Sequence, residues 1–155
     1  MNKAARNIIY PFADELVNSY SILFFSNSKP FGILLLLVTF FKPFAGISGL
    51  TAAAFAVAVA NFSGLNKVTI HKGLFSFNAI LIGIGMGTFY NSGAAFWLLL
   101  FLMVLLSVVI SGALWNILSS RGLPFLAIPF VLCFWLVILV SREFSAIDLT
   151  TRNIY

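Results

Sequence analysis

The sequence predicts an all-α polytopic membrane protein, and three observations predict it. Hydrophobic residues make up 61% of the 155 and charged residues only 8%, where a soluble domain carries roughly 45–50% and about 25%. Mean hydropathy is +1.08. Long apolar runs alternate with short polar connections, and the longest reach the ~20 residues that a helix needs to cross ~30 Å of hydrocarbon. A globule so poor in charge could not cover itself with polar groups, so its main solvent is lipid.

Taken in order, residues 1–15 are mixed and read as an interfacial N-terminal segment. They do not form a secretory signal, because Asp14, Glu15 and Asn18 interrupt what should be a continuous apolar stretch. Residues 16–140 form the membrane domain, and 141–155 a polar C-terminal tail or linker. Segment 16–25 is short and carries Asn18, Ser19 and Ser21; segment 31–41 is strongly apolar and stops at Lys42-Pro43. Segment 44–62 has no charge and is rich in small residues, among them Gly46, Gly49, Ala52, Ala53, Ala56 and Ala60. Such residues let helix backbones approach closely where lipid offers no hydrophobic drive for association. Segment 73–90 is interrupted by Asn78, Gly83, Gly85 and Gly87; segment 94–118 is the longest; segment 123–140 opens with Pro124 and Pro129.

These segments imply about five transmembrane helices plus one partial, re-entrant helix, with 73–90 the first choice for the partial one and 16–25 the other candidate. Backbone that stops midway leaves N–H and C=O groups that lipid cannot satisfy, so it must face protein or a water-filled path. A short, interrupted apolar segment is therefore a pointer to a solute pathway.

The net charge of +5 comes from nine Lys and Arg that mark the ends of apolar runs, where their stems lie along hydrocarbon and their heads reach water. No basic cluster with interleaved aromatics occurs, which excludes a nucleic-acid partner. With 73–90 partial, Lys3, Arg6, Lys42 and Arg121 share one side, and Lys29, Lys67, Lys72, Arg142 and Arg152 the other. That asymmetry is too small to orient the chain. The expected location is the cell (plasma or inner) membrane, multi-pass.

Catalysis has no residues to stand on. The acids Asp14, Glu15, Glu143 and Asp148 all lie outside the longer apolar runs, whereas an intramembrane enzyme needs ionisable groups at depth. The lone His71 sits in a polar connection and reads as a loop or headgroup residue; the lone Cys133 sits in an apolar run and reads as a small hydrophobe. No disulfide, metal set or cofactor motif is available. What remains in the membrane is uncharged polarity beside aromatics: Phe77-Asn78, and Leu123 to Phe130 with its two prolines. Each proline removes a donor and frees a carbonyl one turn back. Carbonyls beside flat rings suit a small planar neutral solute, although phenylalanines in lipid or core and a proline kink would give the same pattern.

At these residues the chain resembles the urea transporter family. The family signature Leu-Pro-x-x-Thr-x-Pro-Phe is matched by Leu123-Pro124-Phe125-Leu126-Ala127-Ile128-Pro129-Phe130 everywhere but the threonine. Gly73-Leu74-Phe75-Ser76-Phe77-Asn78-Ala79 is similar to the family's Gly-Leu-Tyr-Gly-Phe-Asn-Gly stretch, and Phe24-Phe25-Ser26-Asn27 to its Phe-Phe-x-Asn segment. The three stretches keep the family's order.

The resemblance implies a passive urea channel subunit in a trimer, each protomer built from two inverted halves of five crossings and a shorter pore-lining helix. It implies that Phe25 and Phe77 stack the solute with Leu81 beside them. Asn78 would begin the pore-lining helix, and Pro124 to Phe130 would present carbonyls. Two departures bear on selectivity: Ala127 stands at the threonine position, and Ile22 at one where the family often has Gln. Formamide, acetamide or ammonia are then alternative solutes, and a non-conducting scaffold half is an alternative role. The chain has about half the family's usual length and resembles the first half. It would be completed as an antiparallel homodimer within a homo-oligomer, by a separate second half-repeat, or as a piece of a longer chain; the polar residues 141–155 favour the last.

Overall fold

The structure is a computed structural model that describes residues 3–123 and 125–143, with side chains for 12–123 and 125–141. Every regular element among the described residues is helical. Helix α1 (Lys3–Ser21) ends in a 3-10 turn (Ile22–Phe24) and is followed by α2 (Lys29–Thr39), α3 (Pro43–Phe62) and the short α4 (Lys67–His71). Then come α5 (Phe77–Phe89), α6 (Ala94–Leu118), a 3-10 turn (Ser119–Arg121) and α7 (Ile128–Glu143).

The all-α membrane class is as the composition requires. By length and hydropathy, α3 and the 94–121 stretch are each able to cross a membrane alone. Segments 16–25 and 31–41, expected as two crossings, instead belong to a pair, Phe12–Phe24 and Lys29–Thr39, bent by 84°. A break this sharp makes them a single broken span or a re-entrant pair. Helix α5 has 13 residues, so it rises ~20 Å and stops short of the ~30 Å core; segment 73–90 is indeed the short one. Segment 123–140 is also shorter as a helix than its composition suggests. Helix α7 starts only at Ile128, with Pro129 in its first turn, where the missing N–H belongs to a group unpaired in any case. Among the described residues two helices, or three spans if the bent pair counts as one, are long and apolar enough to cross. Helix α1 runs unbroken through residue 15, the expected edge of the interfacial segment, and the expected tail lies outside the described residues from 144 onward.

The core explains the small residues of 44–62. A methyl group on Gly83 would stand 2.5 Å from the Ser48 carbonyl and 2.8 Å from the Ala52 Cβ, and one on Gly87 2.8 Å from the Ala45 Cα. The α3 and α5 backbones therefore touch. The Ser48 hydroxyl crosses this contact to the Gly83 carbonyl at 2.7 Å. Around it Ala52, Ala56, Ile82, Met86, Leu100, Val104, Cys133 and Val137 pack in one cluster, so Cys133 is a buried hydrophobe. Tyr20, Ala53 and Ile80 form a second cluster joining α1 to the same pair.

Several helix ends share one closing pattern. At Gly64, Gly73 and Gly122 the φ angle is positive, and the following residue's N–H reaches the carbonyl five residues back: Leu65 to Ala60, Leu74 to Thr69 and Leu123 to Leu118. This is the left-handed stop that glycine permits. The same bonds close the first 3-10 turn, Ser26 N–H to Ser21 (3.2 Å) and Phe25 N–H to Ile22 (2.9 Å), but the left-handed residue there is Phe25, φ +56°.

Candidate functional site

Three irregular stretches converge on the N-terminal end of α5: the bend after α1, the turns between α4 and α5, and the approach to α7. Between them lies a cavity of about 110 Å³ lined by Ile22, Phe25, Leu74, Phe77, Trp115, Phe125 and Leu126. Among the described residues no charged side chain lines it, and its surface is almost wholly apolar.

Phe77, the first residue of α5, is 7% exposed, whereas Phe25 at the bend is 71% exposed. One ring is thus part of the inner wall and the other stands at the rim. The ring in contact with Phe77 is Phe125, with centroids 6.1 Å apart and planes inclined by 32°. Trp115 stands edge-on to Phe125 at 6.5 Å and 89°. These are the separations at which aromatic pairs attract.

The residues flanking Phe77 tie the walls together. The Ser76 hydroxyl hydrogen-bonds the Ser19 hydroxyl of α1, and just beyond it the Asn18 amide donates to the His71 carbonyl at 2.8 Å. A methyl group on Gly73 would lie 2.5 Å from the Ser19 Cα, so this approach needs glycine for space as well as for its φ. On the other side, the Asn78 amide donates to the Leu126 carbonyl at 3.3 Å and its oxygen accepts the Phe130 N–H at 3.3 Å.

Of the residues singled out in the sequence, Ile22, Phe25 and Phe77 come together on the cavity. Asn78 is fully buried behind it. Leu81 is half-buried one turn along α5 from Phe77, and Ala127 is half-buried beside Leu126; neither lines the cavity. Phe130 packs on Phe134, 5.4 Å away. Pro124 lies outside the described residues. In this stretch the Phe125 carbonyl accepts from Ile128, that of Ala127 from Val131 and that of Leu126 from Asn78, which leaves each of these three oxygens a second lone pair. His71 is exposed at the end of α4, as a loop or headgroup residue should be. Among the described residues no cluster of His, Cys, Asp or Glu could hold a metal.

Sequence reasoning missed Leu74, Trp115, Phe125 and Leu126 as lining. Phe125 and Leu126 sit inside the quoted signature, whose carbonyls and prolines, not these two side chains, carry the expected role. Trp115 gives no local signal, because only the packing of the C-terminal part of α6 brings it to the cavity.

Comparison with known proteins agrees with this architecture. The urea transporter family model matches residues 13–154. Urea transporter 1 of Mus musculus is 30% identical over 127 residues, 79% of this chain and 33% of that protein. Urea transporter 1 of Ovis aries is 27% identical over 138 residues, 86% of this chain and 36% of the relative. The matched stretch thus spans about a third of these relatives. With most of its length matched, and its apolar helices gathered around a short central one, the chain belongs to the urea transporter family.

Proposed function

We propose that urea, or a solute of the same planar neutral class, permeates passively along a path that includes this cavity. The observation that carries the reading is the cavity's wall: flat rings from Phe25, Phe77, Phe125 and Trp115 around an uncharged space, in a membrane protein of this family. A planar amide entering there exchanges water for aromatic faces. Phe25 receives it at the exposed rim and Phe77 stacks it further in; Leu81, Ala127 and Phe130 flank the onward path. We read the path as a conduit, which fits a lining that carries no titratable side chain among the described residues.

The assembly completes the path with a second half-repeat, from the rest of a longer chain or from another copy, in a cell membrane. Relatives roughly three times the matched length support the longer-chain form.

The test is urea flux into proteoliposomes holding the complete assembly. Saturable flux that ignores membrane potential and pH gradient is expected, because the solute and the wall carry no charge. Flux no greater than in empty liposomes would end the reading and favour a non-conducting scaffold. A second reading rests on Ile22 and on the engaged carbonyls: a wall this poor in hydrogen-bonding groups compensates lost water less well, which favours formamide, acetamide or ammonia. Competition among these solutes in one assay separates the two.

A further inference from the structure

We propose that Asn78 is a positioning residue: its amide sets the distance between the two cavity walls and does not itself hold the solute. The proposal rests on the transport reading for its functional consequence, but its geometric content stands apart from it.

Asn78 is 0% exposed and does not line the cavity. Its Nδ2 donates to the Leu126 carbonyl and its Oδ1 accepts the Phe130 N–H, both at 3.3 Å. Phe130 is the third residue of α7, so its N–H is one of those that a helix cannot satisfy internally. In lipid such a group must find a protein partner. The side chain that caps α7 therefore comes from α5, 52 residues earlier in the chain. The second bond holds the carbonyl of Leu126, whose φ of +47° is a left-handed conformation for a residue with a branched side chain.

The two bonds pin the segment that carries Phe125 and Leu126 against the start of α5. One residue before Phe77, Ser76 binds Ser19 of α1, the helix that leads to Ile22 and Phe25. Three consecutive residues thus serve one purpose: Ser76 holds one wall, Asn78 holds the other, and Phe77 faces the space between. An amide meets both demands on the Asn78 side, a donor for Leu126 and an acceptor for Phe130. A neutral carboxylic acid has the same pair, and a carboxylate lacks the donor.

That difference gives the test. Within their ranges α3, α5 and α6 carry no titratable side chain. Among the described side chains, α1 carries Asp14, half-exposed and paired with Lys29, together with Glu15 and buried Tyr20, and α7 carries buried Cys133; none of these lines the cavity. Asn78→Asp therefore places one new titrating group there. The full-length protein in proteoliposomes is followed by urea flux and by fluorine NMR of 5-fluorotryptophan. The Trp115 resonance, assigned by its loss in Trp115→Phe, reports the wall through Phe125. Asn78→Ala should displace that resonance and lower flux about tenfold, the scale of one buried hydrogen bond lost. Asn78→Asp should match the parent at low pH. As pH rises and the acid ionises, both readouts should move to the alanine values while the parent stays flat.

An alanine variant equal to the parent in both readouts, or an Asp variant that differs from the parent by the same amount at every pH, overturns the proposal. Should the alanine variant fail to fold, the Asp titration decides alone. A parent protein without urea flux would defeat the transport reading, and the Trp115 resonance would still decide the positioning role.

Discussion

Phe25 and Leu126, near opposite ends of the described chain, both hold positive φ angles, +56° and +47°, and both line the same cavity. No other non-glycine residue among the described ones has a positive φ. A left-handed conformation costs an L-residue roughly 1–2 kcal/mol, and such strain concentrates where geometry serves function. At Gly64, Gly73 and Gly122 the same helix-ending pattern has the residue that relieves it. At residue 25 the chain keeps a ring instead.

Phe25→Gly therefore separates stability from transport. The variant should melt higher in detergent, by about 1 kcal/mol of stability, while urea flux falls because the rim loses its aromatic face. Phe25→Ala removes the ring and leaves the strain, so it should lose flux without the gain. Unchanged flux in Phe25→Gly would take the ring out of the path.

Much of this was legible from residue type and spacing. Composition alone names the solvent, and the interrupted 73–90 stretch announces a short helix because three glycines and an asparagine break its apolar run. Ile22, Phe25 and Phe77 could be picked out by the resemblance of their neighbourhoods. The bend of 84° between α1 and α2 was hidden, because the left-handed residue that makes it is Phe25 and not a glycine. The role of Asn78 was hidden for another reason. Its partners are a carbonyl and an N–H 48 and 52 residues away, and backbone groups leave no mark on a sequence.

The α3–α5 contact predicts where the fold is least tolerant. Gly83→Val puts a branched side chain where even a methyl would stand 2.5 Å from the Ser48 carbonyl. It should destabilise by about 3 kcal/mol or more, since overpacking alone costs typically 1–3 and backbone is the obstacle. Gly93→Ala is the control, with nothing within 4 Å of the added methyl. Size-exclusion profiles after a heating series should show aggregation of the first at a markedly lower temperature, and the second close to the parent.

Ser107 and Ser111 lie one turn apart on α6, fully buried, and neither hydroxyl has a hydrogen-bond partner among the described residues. Removing a buried polar group that bonds to nothing should not destabilise. Ser107→Ala and Ser111→Ala should each leave the melting temperature unchanged or raise stability by up to about 1 kcal/mol. A loss of more than that from either would mean that the hydroxyl has a partner supplied by the rest of the assembly.

The last prediction concerns solute choice and sets the two departures from the family pattern against each other. Ile22 lines the cavity, whereas Ala127 does not and sits half-buried beside Leu126. A polar group added at residue 22 meets the solute at the point where it has shed water onto the Phe25 and Phe77 rings. Ile22→Gln should therefore raise the preference for urea over acetamide about tenfold, the worth of one hydrogen bond regained in a dry site. Ala127→Thr by itself should change that ratio less, because its hydroxyl enters outside the cavity. Initial influx rates of the two solutes, measured by light scattering on the same proteoliposome preparations, give the ratio directly. If Ala127→Thr changes it more than Ile22→Gln, the selective point lies beyond this cavity, toward the start of α7. If neither changes it, hydrogen bonding from this half has no part in choosing the solute, and the aromatic faces act on planarity alone.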